Sequence, residues 1–453
     1  MTDTPFFPLE QNSSTAPAPA GPLDPEEVYH ETRPSDWLTM PEVKNAHGNV
    51  YALVLIPQGA KVMFPLSISN SPVKVEFGHT DSDGSFIPTK TVSESASGSV
   101  EYTIDASDFG HMTSDGHVQC IVRISYQNGQ PYIMFARPHG DSSNIWVSPV
   151  REISANVCGL SLGGFATALK HMRYFSGYGF VPPLFMFKDN ISLVAVRHLD
   201  EAGWREANMV FSGCISLRAL PPLDLTNVYQ MQEMFKDCIS LEYIPKLITT
   251  NTDWMVGMFQ GCTALRKLPE MDTSNVTEFS RFLKGCISIS SIDNLDTSNG
   301  TYFDEMFSGC ISLNDISGIE TARAFSMTDM FKSCHALASA PSLHTEGIEN
   351  VNLFDDSGIT ALVNLKVSRK TYSLSFENMK ALTRVTLSCS DWDGCDISFA
   401  GTCLSREAYV EFFQSLPVIN SPYTITLGAI LGGADMLTAE DRAVATGKGW
   451  VLE

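Results

Sequence analysis

The chain has 453 residues, 43% of them hydrophobic, and a formal net charge of −21. That size predicts about two to four domains with a buried core. The acidic balance excludes sequence-independent nucleic-acid binding and docking on an anionic membrane, both of which need a basic face. No run of about 18 apolar residues is present to span a bilayer.

The N-terminus, MTDTPFFPLEQNSSTAPAPAGP, has neither a basic nor an apolar leader region, so it does not read as a secretory signal. The chain is expected to be made in a cytosol. Residues 1–35, rich in Pro, Ala, Ser and acidic residues, are expected to form an extended arm or linker. Short β-like runs fill 36–150: VYALVLIP (50–57), KVMFPLSIS (61–69), VKVEFGH (73–79), VEYTIDA (100–106), VQCIVRISY (118–126) and PYIMFARP (131–138). The last two flank QNGQ, whose Asn-Gly predicts a hairpin. Together these runs predict an all-β, sandwich-like domain.

Over 151–400 the chain repeats with a period of 24: Cys214, Cys238, Cys262, Cys286, Cys310 and Cys334 form one column. Met234, Met258, Phe282, Met306 and Met330 form a second, and Leu217, Leu241, Leu265, Ile289, Leu313 and Leu337 a third. Asn227, Asn251, Asn275 and Asn299 form a polar column. Met231, Met234, Phe235 and Cys238 fall at i, i+3, i+4 and i+7, which predicts one face of a short helix in each coil. Leu241, Ile244 and Leu247 predict the strand that follows. No single coil can bury its own apolar stripe, so neighbours must stack. The expected fold is therefore multidomain: a sandwich-like β-domain, then an α/β leucine-rich-repeat solenoid with a C-terminal cap. In that cap, over 401–453, SREAYVEFFQSLP and LTAEDRAVATGKGW read as helices and YTITLG as a strand.

The repeat M-F-x-x-C-x-S-L followed by L-P-x-L-D-T-S-N-V resembles that of BspA-type leucine-rich-repeat surface proteins, also found in Mycoplasma lipoproteins. The resemblance covers roughly 185–385, and the ending LTAEDRAVATGKGWVLE is similar to the ending of many such chains. It implies a non-enzymatic, adhesive protein without cofactor. The stretch YHETRPSDWLTMPE (29–42) resembles the opening segment of tail- or fibre-associated virion proteins of phages and prophages. The two together imply a virion protein, released by lysis, of tail-fibre or receptor-binding type. Its expected partners are other virion subunits at the N-terminal region and a host surface protein or glycan, and homo-oligomers are expected. A bacterial surface adhesin is the alternative.

A recurring cysteine can be a metal ligand, a disulfide partner, a nucleophile or a small apolar side chain. Here it falls on the buried face of each coil, and a linear ladder does not converge on a metal, so Cys214, Cys238, Cys262, Cys286, Cys310 and Cys334 read as a structural ladder. GLSLG (159–163) matches G-x-S-x-G, making Ser161 a candidate nucleophile, with a helix-like FATALKHMRYF after it. A hydrolase of that type needs a large parallel sheet downstream, whereas this chain enters repeats, so an N-terminal solenoid cap is the preferred reading. In CSDWDGCD (389–396) the glycine, Gly394, is fourth counted from Asp391, where a calcium loop has it sixth, so the stretch reads as a loop. No metal site is expected. The letters that vary between fixed apolar columns should face solvent, and the richest are Arg218, Glu242, Tyr243, Arg266, Lys267, Asn314 and Asp315. These are the candidate ligand-binding residues.

Overall fold

The computed structural model describes residues 21–453 except 43–48, 70–72, 96–97, 126–131, 136–149, 157–160, 164–170, 179–184, 200–203, 294, 341–342, 344, 346–347, 349–351, 368–370, 373, 390–391 and 431–436. Two sheets open the chain. Strands β1 (Asn49–Pro57), β3 (Val73–Thr80), β4 (Phe86–Ser95), β6 (His117–Ser125), β8 (Val150–Asn156), β10 (Tyr174–Tyr178) and β11 (Ala195–Leu199) form a 7-stranded sheet in the order β11-β10-β8-β1-β6-β3-β4. Strands β2 (Lys61–Ser69), β5 (Gly98–Asp105), β7 (Tyr132–Phe135) and β9 (Ser161–Gly163) form a 4-stranded sheet, β5-β2-β7-β9.

The central strand β1 reads as a continuous apolar run because both of its faces are covered. Val50, Ala52, Val54 and Ile56 enter the main core, while Tyr51, Leu53 and Leu55 pack with Val28, Tyr29 and Trp37. Val28 and Tyr29 come from the expected arm, part of which folds as helix α1 (Pro25–Thr32), N-capped by Asp24, and Trp37 follows just after it. Helix α1 is fastened to the sheet at a buried carboxylate. Tyr29 donates its hydroxyl to Glu152 Oε1 at 2.8 Å, and Arg33 Nε donates to Oε2 at 2.9 Å.

The expected hairpin across QNGQ is not made. Strand β6 pairs with β1 and β3, whereas β7 pairs with β2 and β9 in the other sheet. The turn dipeptide is local; the burial that chooses a strand's partner is not. Residues 126–131, the turn itself, lie outside the described residues.

Strand β10 runs parallel to both β8 and β11, and Ala195 of β11 bridges in parallel to Ala219. The sheet thus passes its register to the repeats. Those repeats form a β-solenoid of about 9 turns, and only 8% of the described residues are helical. This overturns the expected α/β leucine-rich-repeat solenoid. In each coil the helix expected over Met231–Cys238 is replaced by two tandem turns. Glu233 and Asp237 have left-handed φ values of 52° and 58°, and an α-helix cannot hold two such residues four apart. The N–H groups of Met231, Glu233, Phe235 and Asp237 instead donate to Trp254, Val256, Met258 and Gln260 of the next coil, at 3.0, 2.8, 2.9 and 2.7 Å. Alternate residues pair between coils as in a parallel sheet, while the turns keep positions 231, 234, 235 and 238 pointing inward. The apolar spacing is the same as that of a helix; only the hydrogen bonding differs.

The left-handed column recurs at Asp189, Gly213, Asp237, Gly261, Gly285, Gly309 and Ser333, then at Asp356, Asn378 and Gly401, so the coils continue beyond the regular period. Two-residue strands, β12 (Leu223–Asp224) and β13 (Leu247–Ile248), mark one side of the early coils. Later coils carry β14 (Ala361–Lys366) beside β16 (Arg384–Ser388), then β15 (Leu374–Ser375), β17 (Ile397–Ser398), β18 (Cys403–Leu404), β19 (Thr424–Thr426), β20 (Ala429–Ile430) and β21 (Val451–Leu452). Inside, rings stack coil on coil: Phe187, Phe211, Phe235 and Phe259 have successive centroid separations of 5.3, 5.4 and 5.8 Å.

Helices α2 (Arg406–Ser415) and α3 (Ala439–Thr446) close the C-terminal end. Tyr409 and Phe412 pack edge-on against Phe399 of the last coils. Arg406 forks onto Asp441 at 2.7 and 3.0 Å, joining the two helices. Lys448 donates to the carbonyls of Phe413, Gln414 and Leu416, which satisfies the end of α2.

Candidate recognition faces of the solenoid

The cysteine column is fully buried, and its thiols are free. Each Sγ donates to a carbonyl of the preceding coil: Cys214 to Phe187, Cys238 to Phe211, Cys262 to Phe235, Cys286 to Phe259, Cys310 to Leu283 and Cys334 to Phe307, all between 3.0 and 3.1 Å. The column is thus a ladder of hydrogen bonds as well as of small side chains. Burial pushes Cys262 and Cys334 up to about 12, and Cys238, Cys286 and Cys310 well above the usual thiol range. A thiol that is kept protonated and enclosed is neither a nucleophile nor a ligand.

Two further ladders fasten the coils. Asn251, Asn275 and Asn299 donate Nδ2 to the carbonyls of Thr226, Thr250 and Ser274 at 2.7, 2.8 and 2.6 Å. Buried Thr273 and Thr297 donate to Asp296 and Glu320 of the following coil and accept from the same residues' N–H groups. The backbone and the asparagine and threonine columns are therefore occupied in coil-to-coil bonding, and side chains for a ligand are left to the outer columns.

The variable letters chosen from sequence occupy one such column. Arg218, Glu242 and Tyr243 are half-buried, and Arg266, Lys267, Asn314 and Asp315 are exposed. Arg266 Nε meets Glu242 Oε2 at 3.1 Å, and Asp315 Oδ1 accepts the N–H of Ser317 at 2.9 Å. The fold brings Arg218, Glu242, Tyr243, Arg266 and Lys267 onto three consecutive coils, with Asn314 and Asp315 two coils further on.

A second column escaped the sequence reading. Glu206, Gln230, Trp254, Glu278, Tyr302 and Ser326 are linked in succession by parallel bridges, and they and the residues just before them reach the surface. This column carries large exposed rings: Tyr229 and Trp254 are each 43% exposed, Tyr302 40% and Phe325 73%. Tyr302 and Phe325 meet edge to face at 5.7 Å. Their chain positions slip by one residue between coils, so no single alignment column collects them. The usable signal was an aromatic recurring beside Asn227, Asn251 and Asn299, outside the fixed apolar letters.

Ser161 begins strand β9, paired in parallel with Tyr132 of β7. A nucleophile elbow needs a sharp strand-to-helix turn at that serine; here Ser161, Leu162 and Gly163 all pair within a sheet. Of the helix-like FATALKHMRYF (165–175), residues 165–170 lie outside the described residues, and its last two residues begin the strand Tyr174–Tyr178. In the acidic loop, Asp396 accepts the N–H of Thr424 at 2.6 Å and Asp393 accepts from the Tyr423 hydroxyl, while Asp391 lies outside the described residues. Among the described residues no group of three His, Cys, Asp or Glu side chains can hold a metal ion, and no helix is long and apolar enough to cross a membrane.

A family described as "Mycoplasma protein of unknown function, DUF285" matches this chain over 185–289 and 253–355, less than half of the whole. Both matches fall within the stacked coils. The match and the β-solenoid fit a repeat surface protein. No curated protein matches.

Proposed function

We propose that the chain is a non-enzymatic recognition protein of the phage tail-fibre or receptor-binding type. The N-terminal sheets attach it to other subunits of the particle, and the solenoid side engages a host surface. The observation that carries this reading is the division of labour in each coil. Core letters and backbone groups are occupied in stacking, while outer columns vary from coil to coil on a rigid frame, as in binding solenoids. Segment 29–42, whose resemblance suggested a virion protein, is clamped to the sheet through Tyr29 and Arg33. An attachment surface would thus be pre-formed rather than a loose tether.

The test is whether the full chain co-purifies with intact virions and, as isolated protein, binds host cells as a homo-oligomer. Arg266→Ala with Lys267→Ala should weaken cell binding at unchanged melting temperature. Absence from virions together with presence in a bacterial surface fraction would replace this reading with the surface-adhesin reading.

A further inference from the structure

The geometry points to a binding site for an uncharged, extended β-linked glycan along the aromatic column Tyr229, Trp254, Tyr302 and Phe325. This inference rests on the surface-recognition reading. It names the class of ligand and places the contact on a different column from Arg218, Glu242 and Arg266.

Three observations carry it. First, large rings are held at the surface by backbone pairing rather than by burial: Trp254 and Tyr302 lie in the bridged series Gln230–Trp254–Glu278–Tyr302–Ser326. Their cost in exposed apolar area is unexplained by the core, whose own rings are stacked inside. Sugar rings present C–H faces that pack flat on such aromatics.

Second, the polar letters in the same column are hydrogen-bonding groups suited to hydroxyls. Gln230, Thr277, Glu278, Thr301 and Ser326 alternate with the rings and are partly open to solvent. The hydroxyls of Thr277, Thr301 and Ser326 donate within the frame, to Asp253, Thr277 and Asp304, and so face a ligand as acceptors. A partner that is both ring-faced and hydroxyl-rich uses both sets; an apolar protein patch would leave the carboxylate and amide desolvated.

Third, the spacing is periodic. Parallel coils rise by about 4.8 Å each, so Trp254 and Tyr302, two coils apart, repeat at about 9.6 Å along the axis. An extended β-linked polysaccharide shows the same face once per disaccharide at a similar interval. A regular scaffold thus meets a regular polymer. Charge then chooses among glycans. Glu206, Asp253 and Glu278 lie in or beside the column, and the chain carries a net −21. A polyanionic glycan is repelled, and uncharged sugars remain.

The test uses the full chain and defined probes: β-1,4-linked glucose and N-acetylglucosamine oligosaccharides, with heparin as the polyanionic control, in affinity electrophoresis and calorimetry. The expected result is binding to an uncharged oligosaccharide and none to heparin. Trp254→Ala and Tyr302→Ala should each weaken binding by at least about tenfold, with Trp254→Phe close to the parent. Tyr372→Ala, which removes an exposed ring outside the column, should leave it intact, and circular dichroism should show every variant folded. No binding by the parent chain, or equal binding by the Trp254→Ala, Tyr302→Ala double variant, would overturn the inference. Host-cell binding run in parallel separates the two readings. If cells are bound without any oligosaccharide affinity, or if protease rather than glycosidase treatment of the cells abolishes binding, the solenoid recognises a protein and only the glycan inference falls. If neither cells nor oligosaccharides are bound, both readings fall.

Discussion

The thiol of Cys310 donates to the carbonyl oxygen of Leu283, 27 residues earlier, at 3.1 Å. The same carbonyl accepts the N–H of Cys286 at 3.0 Å, so its second lone pair is satisfied only by the thiol. Cys310→Ala should therefore cost about 1–3 kcal/mol, from the lost packing and the unmet acceptor. It should do so without a specific loss of ligand binding. Denaturant unfolding and cell binding of the same variant check this; lost binding at unchanged stability would mean that the cysteine has a role beyond structure.

Burial predicts which thiols react. In the native chain, alkylation at mildly alkaline pH should label the partly exposed Cys389 and Cys403, and Cys395 more slowly, since burial pushes its thiol up to about 11. The column from Cys214 to Cys334 should be labelled only after denaturation. Peptide mass spectrometry reads this directly, and native labelling of Cys262 would contradict the sealed ladder.

The tandem turns predict opposite effects of one substitution type. Gly309 has φ +79°, so Gly309→Ala should cost about 1 kcal/mol. Arg281 holds φ +59°, so Arg281→Gly should be neutral or stabilising by about 0.5 kcal/mol. Had these positions been helical, as the apolar spacing suggested, the signs would reverse. Thermal melting of the pair therefore tests the fold itself.

Acid should loosen the C-terminal cap first. The hydrogen bonds from Arg406 hold the Asp441 carboxyl down from its ordinary 3.8 to about 2. A lowered carboxylate contributes its full stabilisation above the ordinary value and loses it as pH falls through the folded one. The cap should thus weaken between about pH 4 and about pH 2. Asp441→Asn should remove that pH dependence. Hydrogen exchange of Arg406–Ser415 against pH measures it.

Removing Arg33 should strand a buried charge. Glu152 is only 2% exposed on its side chain, and Arg33→Met leaves it without its ion-pair partner at a cost of about 3 kcal/mol near neutral pH. Burial already raises the Glu152 carboxyl, so protonation relieves the defect, and the gap in melting temperature between variant and parent should narrow as pH falls. A constant gap would mean that Arg33 acts through its stacking on the Trp37 ring, 5.7 Å from the centroid, and its hydrogen bonds to the Trp37 and Leu38 carbonyls.

Sequence by itself determined the period, the inward columns and the helix at Arg406–Ser415, because the residue types that must be buried recur wherever a coil meets its neighbour. Cys214 through Cys334, Phe235 in its stack and the helix at Arg406–Ser415 were legible for that reason. What only the tertiary structure decided was how the backbone satisfies itself. Met231, Met234, Phe235 and Cys238 point inward equally well from a helix or from two left-handed turns. The choice between them depends on whether each N–H finds a carbonyl in its own turn or one coil away. The glycines at 261, 285 and 309 hinted at the second, since glycine gains nothing inside a helix but fits φ above zero without strain. The aromatic column, too, emerged only when coils were stacked, because stacking places Tyr229 beside Trp254 although they are one register apart in the chain.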